Sequence, residues 1–343
     1  MRVAFVGKGG SGKTTLSALF ARYLALDAAV MAIDADINQH LGVALGLTED
    51  AAARVPGLGA RLLEIKDYLR GANPRIADGR EMVKTTPAGR GSRLLRLGGA
   101  DPFHQDWSVP VGGVRLLATG PFGEEDLGVA CYHAKTGAVE LYLNHLVDGA
   151  GEYVVVDMTA GADCFASGLF TRFDLTFLIA EPTRRGVSVY RQYRDYADGH
   201  GVRLHVVGNK VADADDEAFL RDQIGEDLLA CVATSRYVRA AEQGMLDAID
   251  ALEPGNLETL ALMRATLDGC AKDWRTFQDQ AEFFHRRNAR AWADKAVGVD
   301  LSAQIDPEFV HGPDALDAAE PSPPQLPQLL QLLQPPPLSA LPD

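Results

Sequence analysis

Apolar residues along this 343-residue chain fall into short, nearly continuous runs separated by stretches of helical period. The runs cover 3–6, 28–33, 114–119, 153–156, 175–180, 202–207 and 228–233. Each has the length of a strand and is apolar at successive positions, so both of its faces would be buried. Between them, Leu16, Leu19, Phe20 and Leu24 recur at helical spacing, as do Val139, Leu143 and Leu146 within 138–147. Shorter helices are predicted over 39–45, 163–171 and from Thr183 to about 197. Strands alternating with helices in this way predict an α/β fold: a doubly wound, mostly parallel sheet with helices on both faces. From about 256 to 296 the pattern is helical throughout.

Two segments break the pattern. Residues from about 48 to 113 are rich in glycine, arginine and proline and hold one clear helical pattern, 62–69. Between Arg61 and Ala100 there are nine Lys/Arg against four Asp/Glu, a local excess of five positive charges. Either this insertion docks an acidic partner or it folds onto the protein's own acidic surface, and the second reading is favoured. After Lys295 there is no Lys or Arg, and the end is rich in proline and glutamine. The expected organisation is a domain over 1–250 carrying the insertion at 48–113, a helical segment over 251–300, and an acidic, disordered tail over 301–343. The Leu-Leu-Gln-Leu-Leu core of that tail is a candidate partner-binding helix.

Charge and cysteine usage narrow the setting. A net charge of −14 disfavours nucleic acid and anionic membrane as partners. Cys131, Cys164, Cys231 and Cys270 are widely separated and form no disulfide framework, which suits a reducing compartment. The chain opens on a core strand, with no leader before it and no run long enough to span a membrane, so a cytoplasmic location is expected.

The chemistry concentrates at the first strand-to-helix turn. Gly7, Lys8, Gly9, Gly10, Ser11, Gly12, Lys13 and Thr14 match G-x-x-x-x-G-K-[ST], and Thr15 follows within the helix. Glycines let the backbone aim its N–H groups at phosphate oxygens, and the helix N-terminus adds its positive end. Lys13 would reach the β- and γ-phosphates, and the Thr14 hydroxyl would ligate Mg²⁺. Gly7, Gly9 and Gly12 also satisfy a dinucleotide fingerprint, with Asp34 at a suitable distance. Lys13-Thr14 favours a triphosphate with Mg²⁺ over a dinucleotide. Asp34, Asp36, Asp157 and Asn209 sit at the carboxyl ends of predicted strands, the ligand edge of such a sheet. Asp157 is the expected outer-shell Mg²⁺ partner, or else a loop cap. Asp36 is a candidate for positioning a water near the γ-phosphate, or else the N-cap of the segment starting at Ile37.

The stretch Lys8-Gly9-Gly10-Ser11-Gly12-Lys13-Thr14-Thr15 resembles the deviant Walker A motif of the MinD/ParA superfamily of P-loop ATPases, the SIMIBI class, marked by the extra lysine, Lys8. The nearest likeness is to CooC-type carbon monoxide dehydrogenase maturation ATPases. It rests on the stretches 155–161, 180–185 and 208–211 and covers about 1–46 and 114–245. The resemblance implies a P-loop NTPase fold and an ATP- and Mg²⁺-dependent homodimer in which Lys8 reaches the partner subunit's phosphates. It implies that Lys8, Lys13 and Asp36 are catalytic, that Asp34 and Asp157 serve Mg²⁺, that Asn209 reads adenine, and that Lys210 contacts the nucleotide. Such proteins carry a Cys-x-Cys pair where this chain has Cys131-Tyr132-His133. Cysteine and histidine both suit Zn²⁺ or Ni²⁺. The expected function is a slow, partner-regulated ATPase acting as a dimerisation switch in metallocentre maturation, with a metalloenzyme as candidate partner. The alternatives are a ParA/MinD-type positioning ATPase and, behind it, a dinucleotide-dependent oxidoreductase.

Overall fold

A computed structural model describes residues 1–98, 101–121, 132–161, 165 and 167–318. The predicted strands form one sheet. Its members are β1 (Arg2–Gly7), β2 (Ala29–Ala35), β3 (Val109–Val111), β4 (Val114–Ala118), β5 (Glu152–Met158), β6 (Leu175–Ala180), β7 (Leu204–Val211) and β8 (Leu228–Ala233). They lie in the order β3-β4-β2-β5-β1-β6-β7-β8. Every pairing is parallel except β3 with β4. Strand β3, Val-Pro-Val, turns back through Gly112 and Gly113, both at positive φ. Three residues carry too little periodicity to show as a strand, and proline is tolerated because it lies on the edge.

The helices are α1 (Lys13–Leu24), α2 (Leu41–Leu45), α3 (Glu49–Ala52), α4 (Leu62–Arg70), α5 (Pro102–Trp107), α6 (Tyr132–His145) and α7 (Arg184–Asp198). After these come α8 (Ala214–Ile224), α9 (Arg236–Glu242), α10 (Pro254–Asp268), α11 (Trp274–Asn288), α12 (Asp294–Val297) and α13 (Pro313–Ala318). Of the predicted helix over 163–171, the described residues show only a tight turn, Gly168–Thr171.

Alternate residues of β1 explain the layering, because successive side chains of a strand face opposite ways. Val3 and Phe5 join α1 and α10 in one core, where Phe5, Phe20 and Phe177 pack ring against ring. Ala4 and Val6 join α4, α6 and α7 in the other. Helices therefore cover both faces of the sheet.

The insertion lies on the second face and is held by the C-terminal segment. Arg90 pairs with Asp306 at 2.8 Å and with Glu308 at 2.9 Å, and Arg75 lies 3.9 Å from Asp306. Thr85 bonds His285, and Gln304 bonds Thr86 and the carbonyl of Glu81. Arg75 and Arg90 of the basic stretch thus face the chain's own acidic stretch. The expectation of a disordered tail from 301 is corrected over 301–318. There Leu301, Ile305 and Phe309 are buried, and the His311 N–H donates to Oε1 of Gln278 on α11 at 2.9 Å. These apolar residues stand four residues apart, but Pro307 and then Gly312 and Pro313 interrupt the run, and the short turn Leu301–Gln304 does not continue as a helix through them. The Leu-Leu-Gln-Leu-Leu core lies outside the described residues.

Candidate functional site

Parallel register brings four strand ends together. Asp157 is opposite Phe5 on one side and Asp34 on the other, and Gly7 is opposite Ile179. The turn leaving β1 needs its glycines. A Cβ at Gly7 (φ +145°) would meet the Ile179 carbonyl oxygen at 2.5 Å, and one at Gly12 (φ +92°) would lie 2.2 Å from Asn209 Nδ2. Gly12 caps α1 without a side-chain bond, so the first-turn N–H groups remain available to an anion. Lys13 is buried at the same turn, and the buried Ser11 hydroxyl has no partner. Lys8 forms no hydrogen bond or ion pair among the described residues.

Asn209 and Lys210, at the carboxyl end of β7, both reach the turn. Asn209 Nδ2 donates to Ser11 O at 2.7 Å. Lys210, at φ +59°, donates to Gly10 O at 2.6 Å and pairs with Glu181 at 2.7 Å. In this structure they brace the turn from the neighbouring strand.

The Thr14 hydroxyl donates to Asp157 Oδ2 at 2.6 Å. Burial pushes the Asp157 carboxyl up to about 7, with Asp36 adding to it, while the Thr14 hydroxyl and Lys13 oppose the rise. Its Oδ1 is buried without a partner. An orphaned carboxylate oxygen beside a hydroxyl fits Mg²⁺, which takes one or two protein ligands and completes its shell with water and phosphate. Asp34 fits less directly. Its Oδ2 accepts the Leu41 N–H at 2.8 Å, and its Oδ1 accepts the Asp36 N–H at 3.1 Å. Burial and the nearby Asp157 charge raise it well above the usual carboxylate range. Among the described residues no three His, Cys, Asp or Glu converge on one metal position.

Asp36 Oδ1 accepts both the backbone N–H and the side-chain amide of Asn38, each at 2.9 Å. The helix starts at Leu41 rather than Ile37, and the residue supporting its first N–H is Asp34. Cys131 and the side chain of His133 lie outside the described residues. Sequence reasoning missed Gln39 and Thr119, which carry no motif, and gave Glu181 no role although it lies in the 180–185 likeness; only the positive φ of Gln39, invisible in sequence, sets that residue apart. No helix among the described residues is long and apolar enough to cross a membrane.

A doubly wound parallel sheet with a glycine-rich turn, a buried lysine and a Thr–Asp pair at its carboxyl edge defines a P-loop nucleotide-binding protein. Residues 3–228 match the profile of the CobQ/CobB/MinD/ParA nucleotide binding domain, and the chain belongs to that family. It is 28% identical over 271 residues to the carbon monoxide dehydrogenase accessory protein CooC of Rhodospirillum rubrum, covering 78% of this chain and 97% of that one. A ParA family ATPase from Chlorobium tepidum TLS shares the fold with a TM-score of 0.53 at 14% identity, over 77% of this chain and 97% of the other. The MinC:MinD cell division protein complex of Aquifex aeolicus matches with a TM-score of 0.51 at 17% identity, over 80% and 98%.

Proposed function

We propose that this protein binds and hydrolyses ATP and uses the nucleotide to control its own dimerisation, in the service of a metallocentre-maturation partner. The observation that carries the reading is the Thr14–Asp157 contact at 2.6 Å beside the uncapped start of α1 and the buried Lys13. Backbone N–H groups of the turn and Lys13 hold the β- and γ-phosphates. The Thr14 hydroxyl would hold Mg²⁺, with Asp157 beside it as its outer partner. When bound, the cation neutralises charge developing on the phosphates. Asp36 sits within the 34–41 turn, where its carboxylate can orient an attacking water. Lys8 forms no hydrogen bond or ion pair among the described residues, which suits a cation that completes the site of a second subunit, as an arginine finger does. Asn209 and Lys210 hold the turn in the geometry that receives the nucleotide, and the adenine contact of Asn209 belongs to the same proposal.

The maturation role is supported by the likeness to CooC along nearly that protein's whole length. Engagement of Arg75 and Arg90 with Asp306 removes part of the basic surface that a nucleic-acid-bound positioning switch would use. In this reading Cys131 and His133 of two subunits supply a Zn²⁺ or Ni²⁺ site. Equal metal content in the wild type, Cys131→Ala and His133→Ala would remove that part.

The central test is size-exclusion chromatography with ATP. Asp36→Ala should run as an ATP-loaded dimer and Lys13→Ala as a nucleotide-free monomer. An ATP-loaded monomer of Asp36→Ala sinks the dimerisation switch, and retained ATP binding by Lys13→Ala sinks the phosphate site.

A further inference from the structure

Gln39 stands at the junction of two loops at the candidate site. It is one of only two non-glycine residues at positive φ among those described, at +55°. That conformation is unfavourable for a residue with a Cβ, and such strain persists where surrounding contacts impose it. Here the contacts come from the side chain. Its Nε2 donates to the Asp36 carbonyl and to Thr119 Oγ1, the latter at 3.0 Å. Its Oε1 accepts the Gly120 N–H at 3.1 Å. A primary amide donates and accepts at once, which this bridge requires.

The far side of the bridge is equally tight. The N–H and hydroxyl of Thr119 donate to Asp34 O at 2.9 and 3.1 Å, and Thr119 O accepts the Gly59 N–H at 2.9 Å. A Cβ on Gly57 would lie 3.0 Å from the Gly120 Cα. Lys135, in the first turn of α6, donates to Pro121 O at 2.7 Å, and its methylenes lie 2.7 Å from where a Gly59 Cβ would be. One unbroken set of contacts therefore runs from Asp36 through Gln39 to 119–121, and on to the insertion at 57–59 and the start of α6.

We propose that Gln39 is a positioning residue that couples the Asp36 loop to 119–121, so that nucleotide bound at the phosphate turn is sensed at the insertion and at α6. The proposal rests on the ATP-switch reading and adds its route of output. A nucleotide that draws Asp36 toward the γ-phosphate moves the Asp36 carbonyl, which Gln39 holds. The Gln39 amide then carries the displacement to Thr119 Oγ1 and the Gly120 N–H. Physical coupling of this kind needs an element whose arrangement both sites bias; the Gln39 turn, bonded to both loops, would be that element.

The test is hydrogen–deuterium exchange of the full chain with and without a non-hydrolysable ATP analogue, after binding has been measured with a fluorescent ATP. Gln39→Gly removes the amide while accepting the left-handed backbone. It should bind nucleotide within about threefold of wild type, a difference of under ~1 kcal/mol. In wild type, nucleotide should change protection at 34–41, 57–61 and 119–121 and at the start of α6. In Gln39→Gly the change at 34–41 should survive and the other three should be lost. Survival of all four in the variant, or absence of the distant changes in a wild type that binds nucleotide, overturns the coupling. Failure of wild type to bind ATP overturns the ATP reading and the coupling together. Gln39→Asn, which also tolerates a left-handed backbone but is too short for the bridge, serves as the second variant. Loss of nucleotide binding in both variants makes Gln39 part of the binding site and overturns the positioning role.

Discussion

Gly12 and Asn209 come from opposite ends of the nucleotide domain, yet their packing decides the shape of the phosphate turn. Gly12→Ala has two costs. The backbone at φ +92° is left-handed, which disfavours any Cβ by about 1–2 kcal/mol. The new methyl would also lie 2.2 Å from Asn209 Nδ2, so the amide must leave and its 2.7 Å bond to Ser11 O is lost. Leaving a buried carbonyl without its donor costs about 1–3 kcal/mol. The two costs together come to about 2–5 kcal/mol against the binding-competent turn, or a fall in ATP affinity of roughly 30- to several-thousand-fold. Asn209→Ala alone removes the same hydrogen bond and should cost about 1–3 kcal/mol. In the double variant that bond is already gone and the methyl has space. Its loss should therefore fall short of the summed single losses by about the hydrogen-bond contribution, 1–3 kcal/mol. A double-mutant cycle measured by fluorescent-ATP titration reads this difference directly. Additive single effects would refute the claim that Asn209 shapes the turn through Ser11 and Gly12.

Other predictions concern the scaffold. Glu140 is fully buried, and burial raises its carboxyl from 4.5 to about 7, against the nearby charges of Lys84 and Arg172. The unfolded chain ionises first, so stability should fall as pH rises from about 4.5 to about 7, by roughly 3 kcal/mol in all. Denaturant titrations at pH 5 and pH 8 should show a loss smaller by about that amount in Glu140→Gln than in wild type, the remainder coming from Asp34 and Asp157, which burial also raises; equal losses in both would show that Glu140 does not contribute. At the opposite end of the sheet, Lys272 lies 2.7 Å from both Asp148 and Asp174, whose side chains are buried. Lys272→Met leaves those carboxylates short of a cation and should lower stability by about 3 kcal/mol by denaturant titration; a change below ~1 kcal/mol would show that Arg2, whose guanidinium lies 2.7 Å from Asp148 and whose backbone N–H lies 2.7 Å from Asp174, suffices for them.

The phosphate turn and the strand ends were legible in the sequence because their signals are local. Eight residues carry the glycine spacing, Lys13 and Thr14, and an apolar run that stops at a carboxylate marks Asp157 without reference to any other part of the chain. The same holds for the strand–helix alternation, since a strand buried on both faces must be apolar at every position. Pairings across long separations could not be read this way. The bond from Asn209 to Ser11 spans 198 residues, and that from Arg90 to Asp306 spans 216. Nothing within either short segment distinguishes a brace from a solvated side chain. Residues 301–318 looked like tail because they hold no Lys or Arg and are broken by Pro307, Gly312 and Pro313, and only the insertion and α11 give their apolar residues something to pack against. The residue types alone thus determined that this chain can hold a phosphate and in what kind of sheet. The tertiary structure decided which side chains hold the phosphate turn in shape, and it placed Gln39 between Asp36 and Thr119, because those contacts exist only once β2 and β4 lie side by side.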